Sequence, residues 1–204
     1  RCVWRNISAR CRKRRGDCFK NMKSCFLCSN KCFFQNCWRH TVHLNIELQS
    51  SHTFRRSRNF EIHVTKVIFI AGANPAIAHP IVFRYIEDAR AANPDLKIIV
   101  ADPRRTESAE IADLHLPIKP GSDIALFNGM LHVLIGEGLV DQAYVAAHTS
   151  GFDALADIVK NYSPDKVAAI CGIPADAIVQ AARWFGASEA SLSLYCQGLN
   201  QSAH

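Results

Sequence analysis

Apolar and polar positions along this chain alternate in blocks from Thr65 onward. Five consecutive apolar residues, "VIFIA" at Val67–Ala71, run straight into Gly-Ala-Asn-Pro. A short apolar run of this length, stopped by turn residues, predicts a buried strand. The next block, "IVFRYIEDARAAN", sets Ile81, Tyr85 and Ile86 on one face and Arg84, Glu87, Asp88 and Arg90 elsewhere. That spacing predicts an amphipathic helix. Asn93-Pro94 ends it, because the residue before proline is pushed out of the α region.

The same alternation continues. "LKIIVA" predicts a second strand, "DPRRTESAEIA" a loop with a short helical turn, and "LHLPIK" a third, short strand. Pro120-Gly121-Ser122-Asp123 opens a long helix with Ser122 as its expected N-cap. Helices follow over Asp141–Ala147, Phe152–Asn161, Pro164–Ile170 and Pro174–Phe185, and "SLSLYC" is a last strand. Ser163 is the expected cap of the third of these, with Pro164 in its first turn. Strand, helix and strand within about thirty residues make a right-handed βαβ unit, whose ligands bind at the carboxyl edge of the strands. The fold class is therefore α/β, a Rossmann-like parallel sheet with flanking helices. Three loops leave that edge: Gly72–His79, Asp102–Thr106 and Gln197–Ala203.

Composition divides the chain. Residues 1–60 hold 14 Lys+Arg and two acidic residues, about +12; residues 61–204 hold 10 and 16, about −6, and together they give the net +6. Seven of nine cysteines precede residue 61, whereas all eight prolines and 25 of 26 alanines follow it. Two domains are expected: a basic, Cys-rich segment over 1–64 and an α/β domain over 65–204. The second is about the length of one ordinary domain and can bury a core. Because the positive charge is confined to the first segment, the overall charge does not imply a nucleic-acid partner, and none is expected. The longest apolar stretch, "IALFNGMLHVLIGEGLV", is broken by Asn128, His132 and Glu137 and falls short of the ~20 residues a bilayer requires. No membrane partner is expected, and no apolar signal-peptide core follows the basic N-terminus. With Arg1 first and "GLNQSAH" last, the chain reads as a fragment.

Each loop carries candidate chemistry. In Gly72–Ala73–Asn74–Pro75–Ala76 the glycine allows close backbone approach, and Asn74 offers an amide donor and acceptor. The helix that follows points its N-terminal amides toward the same loop, which suits an anion. A plain βα turn would account for the glycine but not for Asn74. Asp102 stands at the second strand's tip, where Rossmann-like folds bond a ribose, and Arg104 and Arg105 suit phosphate. A solvated charged turn is the competing reading. No G-x-G-x-x-G follows the first strand, so a nicotinamide cofactor is not indicated. Gln197, Asn200 and Gln201 flank Gly198, and side-chain amides at a strand tip suit the edge of a base or pterin.

Taken together, "GANPAIAHPIVFRYIEDA", "IIVADPRRTESAEIADLHLPIKPGSDIALFNGMLHVLI", "TSGFDAL" and "YCQGLNQSAH" resemble the bis-molybdopterin guanine dinucleotide oxidoreductases, the dimethyl sulfoxide reductase superfamily. Within it, the assimilatory nitrate reductase catalytic subunits of bacteria are the most similar. The resemblance runs from Thr65 to His204. It implies a Rossmann-like domain holding one pyranopterin guanine dinucleotide of a Mo-bis(molybdopterin guanine dinucleotide) cofactor. The residues implied to contact it are Ala71, Gly72, Ala73, Asn74, Pro75 and Ala76, then Ala101, Asp102, Pro103, Arg104 and Arg105, then Gly121, Ser122 and Asp123, and finally Gln197, Gly198 and Gln201. In this reading Gly72 clears space for the dinucleotide, Asn74 bonds it, and His79-Pro80 sets the helix behind the loop. The implied parent reduces nitrate to nitrite, takes electrons from a donor protein or domain, and is cytoplasmic. A formate dehydrogenase of the same superfamily is the alternative. The metal centre carries the redox chemistry, so no residue of the chain is expected to be catalytic, and the chain alone is expected to be inactive.

Residues 1–64 depart from the family's pattern. Cys25, Cys28 and Cys32 have the C-x2-C-x3-C spacing that opens the family's [4Fe-4S] domain, but Cys37 follows too soon to be the fourth ligand. It also lacks the small-residue context of a molybdenum ligand. No metal ligand is therefore assigned. The segment reads as out of frame, as a disordered basic tail, or as a zinc- or nucleic-acid-binding module using Cys25, Cys28, Cys32, Cys37, His40 and His43. The module is the alternative from outside the enzymes, a nucleotide- or zinc-binding protein without redox activity.

Overall fold

The computed structural model describes residues 44–47 and 59–200. The expectations for Cys25, Cys28, Cys32, Cys37, His40, His43 and Gln201 fall outside them. Five parallel strands form one sheet in the order β1-β5-β2-β3-β4: β1 (Leu44–Glu47), β2 (Val67–Ala71), β3 (Lys97–Ala101), β4 (Leu114–Leu116) and β5 (Ser191–Tyr195). Between them lie α1 (Asn59–Val64), α2 (Pro75–Ala78), α3 (Pro80–Ala92), α4 (Glu107–Glu110) and α5 (Asp123–Gly136). Then come α6 (Gln142–His148), α7 (Phe152–Val159), α8 (Pro164–Cys171), α9 (Ala175–Ala187) and α10 (Gln197–Asn200).

Each strand predicted after Thr65 is present. All five residues of β2 are buried, the expected state of a central strand covered on both faces. Ile68 and Ile70 point to one face, where they meet Ile62 of α1, Val82, Ile86 and Ala89 of α3, and Ile98 and Val100 of β3. Phe69 points to the other, edge-on to Phe127 of α5 and Phe185 of α9 at centroid separations of 6.2 and 5.9 Å. The α5 helix is apolar nearly all round because it is enclosed: Leu126, Met130 and Leu134 are fully buried, and α7, α8 and α9 pack around it. Gly129 lets α8 approach, since a Cβ there would stand 2.8 Å from the Val167 side chain.

Three local expectations change. The Ser122 hydroxyl does not cap α5; it turns back to donate to the Lys119 carbonyl at 2.6 Å. Ser163 likewise makes no side-chain cap, although Pro164 does open α8. The side chain that caps a helix is Asp141, accepting from the Tyr144 amide at 2.9 Å ahead of α6. The compositional boundary near residue 60 is also crossed by structure. Ile62, in α1, is fully buried in the core, and β1 pairs in parallel with β5, Leu44 opposite Leu192.

The register places the site. Ala71 pairs with both Ala101 and Tyr195, and Ala101 with Leu116. Four strands thus end level, and four loops leave the same edge side by side. At ~4.8 Å between strands, they extend over about 14 Å. Order reverses between β2 and β5, the switch point at which such sheets open a crevice.

Candidate functional site

The first loop is joined to both neighbours. Gly72 has φ 56°, a left-handed conformation that favours glycine. Its carbonyl accepts the Gly198 amide at 3.1 Å, and its own amide donates to the Ala101 carbonyl at 3.1 Å. A Cβ on Gly72 would stand 3.0 Å from Gly198 Cα, and a Cβ on Gly198 only 2.6 Å from the Gly72 oxygen. The two glycines therefore make room for each other's backbone. To the reason for Gly72 expected from the sequence, space for a ligand, the structure adds this contact across the switch point.

On its other side the loop is joined to α4. Asn74 Nδ2 donates to Glu107 Oε2 at 2.8 Å, and Ser108 Oγ donates to Asn74 Oδ1 at 2.7 Å. The Ala76 amide donates to the same Ser108 oxygen at 3.1 Å. The Asn74 bond, then Glu107's own amide and the nearby Arg104 charge, hold the Glu107 carboxyl below the usual carboxylate range. The expected ring of free helix amides is not formed. The α2 helix is one turn long and begins with Pro75; Ile77 and Ala78 donate to the Asn74 carbonyl and His79 to that of Pro75. His79 is the boundary residue between the two helices, and Pro80 opens α3.

The second loop folds on Asp102, which is 8% exposed and accepts the Arg104 amide at 2.8 Å. This local bond makes Asp102 the organiser of its own turn. His115 Nε2 bonds the Asp102 carbonyl at 3.0 Å and ties the turn to β4. Beyond it, Arg104 and Arg105 are exposed and have no ion pair among the described residues.

Between the two loops lies an open cleft of ≈ 440 Å³, lined by Asn74, Ile77, Ala78, Arg104, Arg105, Thr106 and Glu107. Thr106 Oγ1 is buried there without a partner among the described residues. A buried polar atom without a partner costs ~1–3 kcal/mol unless something else supplies the bond. Two guanidinium groups, an unsatisfied hydroxyl and a paired carboxylate leave the cleft net positive and rich in donors. It suits an anion with several acceptor oxygens.

Of the residues the sequence singled out, Asn74, Arg104 and Arg105 meet in this cleft. Ala73 and Ala101 are buried in the core, so only their backbone is available. Gly121, Ser122 and Asp123 form a separate turn before α5, with Gly121 at φ 82°. The buried Cys171 Sγ donates to the Ser122 carbonyl at 3.6 Å, and burial pushes its thiol up from the ordinary value. Gln197 and Gly198 lie on α10 beside the first loop. Thr106, Glu107 and Ser108 were not singled out. Their signal was a polar run at the start of a short helix, which reads equally well as a simple helix start.

Among the described residues no helix is long and apolar enough to cross a membrane, and no cluster of side chains could hold a metal ion. The molybdopterin oxidoreductase family model matches residues 17–204, beginning well upstream of Thr65. A nitrate reductase of Synechocystis sp. is 41% identical over 142 residues, covering 70% of this chain and 20% of the relative. Formate dehydrogenase H of Escherichia coli is 44% identical over 141 residues, covering 69% and 19%. A solved structure, acetylene hydratase from Pelobacter acetylenicus, superposes with a TM-score of 0.55 at 34% identity, covering 67% of this chain and 20% of that one. The chain thus spans about a fifth of the length of these relatives. On this evidence the chain belongs to the molybdopterin oxidoreductase family, with nitrate reductases and formate dehydrogenases of the dimethyl sulfoxide reductase superfamily as its homologues.

Proposed function

We propose that this chain supplies the guanine dinucleotide-holding loops of a molybdenum oxidoreductase, and that the parent enzyme reduces nitrate to nitrite. The observation that carries the first part is the cleft between the β2 and β3 loops. It offers Arg104, Arg105 and the unpartnered Thr106 hydroxyl on an edge where four strands end level. Arginine forks match phosphate oxygens, and a hydroxyl with no protein partner has its donor free for one. The family implies a molybdenum–pterin cofactor, and the donor set fits a pyrophosphate-linked form of it, here taken as bis(molybdopterin guanine dinucleotide). When bound, that group supplies the oxygen-atom transfer that converts nitrate to nitrite.

The chain's own part is positional. Arg104 and Arg105 neutralise phosphate charge, Thr106 donates to it, and the joined Gly72 and Gly198 backbones close the crevice at the switch point. The turn at Gly121, Ser122 and Asp123, together with Gln197 and Gln201, is assigned to more distant parts of the same extended ligand. No residue of the chain is assigned a catalytic role. A [4Fe-4S] cluster, an electron-donor protein or domain, and a cytoplasmic location belong to the parent in this reading.

A formate dehydrogenase parent is the second reading, favoured by the 44% identity to formate dehydrogenase H. The shared loops serve the cofactor and not the substrate, so they are equally compatible with either. The test of the shared part is calorimetric titration of the 204-residue chain with GDP and with ADP. Binding of GDP in preference to ADP is expected. No GDP binding at millimolar concentration overturns the cleft assignment, and equal binding of ADP overturns the guanine part. For the parent, reduced viologen consumed with nitrate but not evolved with formate selects between the two substrates.

A further inference from the structure

The position of Asn74 depends on a residue that does not line the cleft. Ser108 is fully buried on α4, and its hydroxyl is doubly used: it donates to Asn74 Oδ1 at 2.7 Å and accepts the Ala76 amide at 3.1 Å. Because that proton goes to Asn74, the oxygen end of the amide is drawn to Ser108. The nitrogen end is then left to face Glu107, to which it donates at 2.8 Å. An asparagine amide has two N–H donors at one end and two lone pairs at the other, and its ends are otherwise interchangeable in shape. Here the carboxylate, which only accepts, makes them distinguishable, and the hydroxyl holds the oxygen end in place.

We propose that Ser108 is a positioning residue that anchors the Asn74 amide in the orientation Glu107 requires and thereby preserves the donor character of the cleft wall. Rotated by half a turn, Asn74 would direct its oxygen at the Glu107 carboxylate, which offers no proton, so Glu107 fixes which end faces it while Ser108 anchors the other end. Only one Nδ2 hydrogen is used by Glu107, and Asn74 lines the cleft together with Arg104 and Arg105, so the other is a donor without an acceptor among the described residues. Ligand oxygens are accordingly favoured over ligand N–H groups. This consequence for ligands rests on the cleft reading above; the orientation itself does not.

The experiment follows the Glu107 carboxyl by NMR titration in the 204-residue chain and measures GDP affinity alongside. In the wild type the Asn74 donor holds that carboxyl low, with its own amide and Arg104 as the other contributors. Ser108→Ala removes the anchor at Asn74 Oδ1 and lets the amide swing away from Glu107; the Glu107 midpoint is expected to rise and GDP affinity to fall about tenfold, a typical loss for one hydrogen bond. Ser108→Thr keeps the hydroxyl and is expected to restore both, which a general loosening of the core would not produce. Asn74→Ala removes the donor without adding a charge and marks the full rise. If Ser108→Ala does not fold, Ser108→Cys fills the space with a weakly bonding group and should give the same direction. A Glu107 midpoint unchanged in the Ser108 variants overturns the proposal. A wild-type chain that ignores GDP sinks the cleft reading instead, and the titration still decides the role of Ser108.

Discussion

The two edges of the sheet use their charged residues in opposite ways. At the amino edge, Arg90 at the end of α3 forms a two-pronged pair with Asp113, both bonds 2.7 Å long. The same guanidinium donates to the Leu96 carbonyl, and Asp113 accepts the Ile98 amide at 2.8 Å. One ion pair thus fastens a helix to the first residues of two strands. At the carboxyl edge, Arg104 and Arg105 stand within a few residues of Asp102 and Glu107, yet neither forms an ion pair among the described residues. Asp102 accepts the Arg104 backbone amide, and Glu107 accepts the Asn74 side chain. Both acids are occupied by polar N–H groups, and the arginines remain available. The amino edge is closed on itself; the carboxyl edge leaves two arginines unpaired among the described residues, and the proposed function gives them a ligand.

The sharpest way to break this division is at the glycine contact. Gly198→Val places a branched side chain where a Cβ alone would be 2.6 Å from the Gly72 oxygen and 2.7 Å from its Cα. Both neighbours are backbone, so the loops must separate. We expect a loss of roughly 2–4 kcal/mol, the upper range for overpacking, and no measurable GDP binding. Urea unfolding and calorimetry on the same protein check it. Wild-type affinity in this variant would show that the two loops need not meet.

A somewhat smaller effect, confined to stability, is expected at the amino edge. Asp113→Ala leaves Arg90 unpaired and the Ile98 amide without its acceptor. The side chains of the pair are 33% and 16% exposed, so solvent moderates the cost to about 2 kcal/mol. GDP affinity should stay within about twofold of wild type, since the ligand edge lies at the other end of the strands. A large loss of affinity in a folded Asp113→Ala protein would erase the contrast between the edges.

The sheet was legible because parallel strands buried on both faces leave an unmistakable record, and "VIFIA" and "KIIVA" carry it. Helix ends were less so. Ser122 and Ser163 satisfy the local rule for a cap, but the rule does not say where a hydroxyl turns, and the Lys119 carbonyl lies closer to hand for Ser122. The short β1 was hidden in a basic segment whose composition argues against a core; its pairing with β5 depends on a partner nearly 150 residues later. At the site, Asn74, Arg104 and Arg105 were singled out from their chemistry and line one cleft. The contact of Gly72 with Gly198 was not legible, because the two are remote in sequence. Thr106 and Ser108 were passed over, since a hydroxyl reveals its role only when its partners, or the lack of them, are known in space.

Removing the reserve of donors sharpens the comparison from the ligand side. Arg104→Ala and Arg105→Ala each take away a charged donor from the cleft, and a hydrogen bond involving a charged group contributes ~1.5–3 kcal/mol. The screening of this open site puts the expected loss of GDP affinity at the lower end, about tenfold for each. Stability should change by less than about 0.5 kcal/mol, as for other surface changes. Titration at rising salt should reduce the difference between wild type and variants. Variants that bind GDP as well as wild type would move the anion site elsewhere.

The smallest expected effect separates the edges by pH. Burial alone would raise the Asp113 carboxyl, but the Arg90 guanidinium and the Ile98 amide outweigh it and hold the group below the usual range. In the unfolded chain an aspartate titrates near ~3.9. A carboxyl depressed by folding contributes its stability fully above that value and loses it as pH falls through the lower folded value. Glu107 is depressed as well, by Asn74 first, but it lies in open water where solvent weakens the coupling. Wild-type stability is therefore expected to decline as pH falls below about 4, with Asp113 a principal contributor. Asp113→Asn should be less stable near neutrality and show a flatter acid decline, whereas Glu107→Gln should follow the wild-type curve closely. Urea midpoints measured at half-unit intervals of pH decide it. Parallel wild-type and Asp113→Asn curves would mean that the Arg90 pair contributes nothing through its charge, and that the amino edge is held by shape and backbone bonds alone.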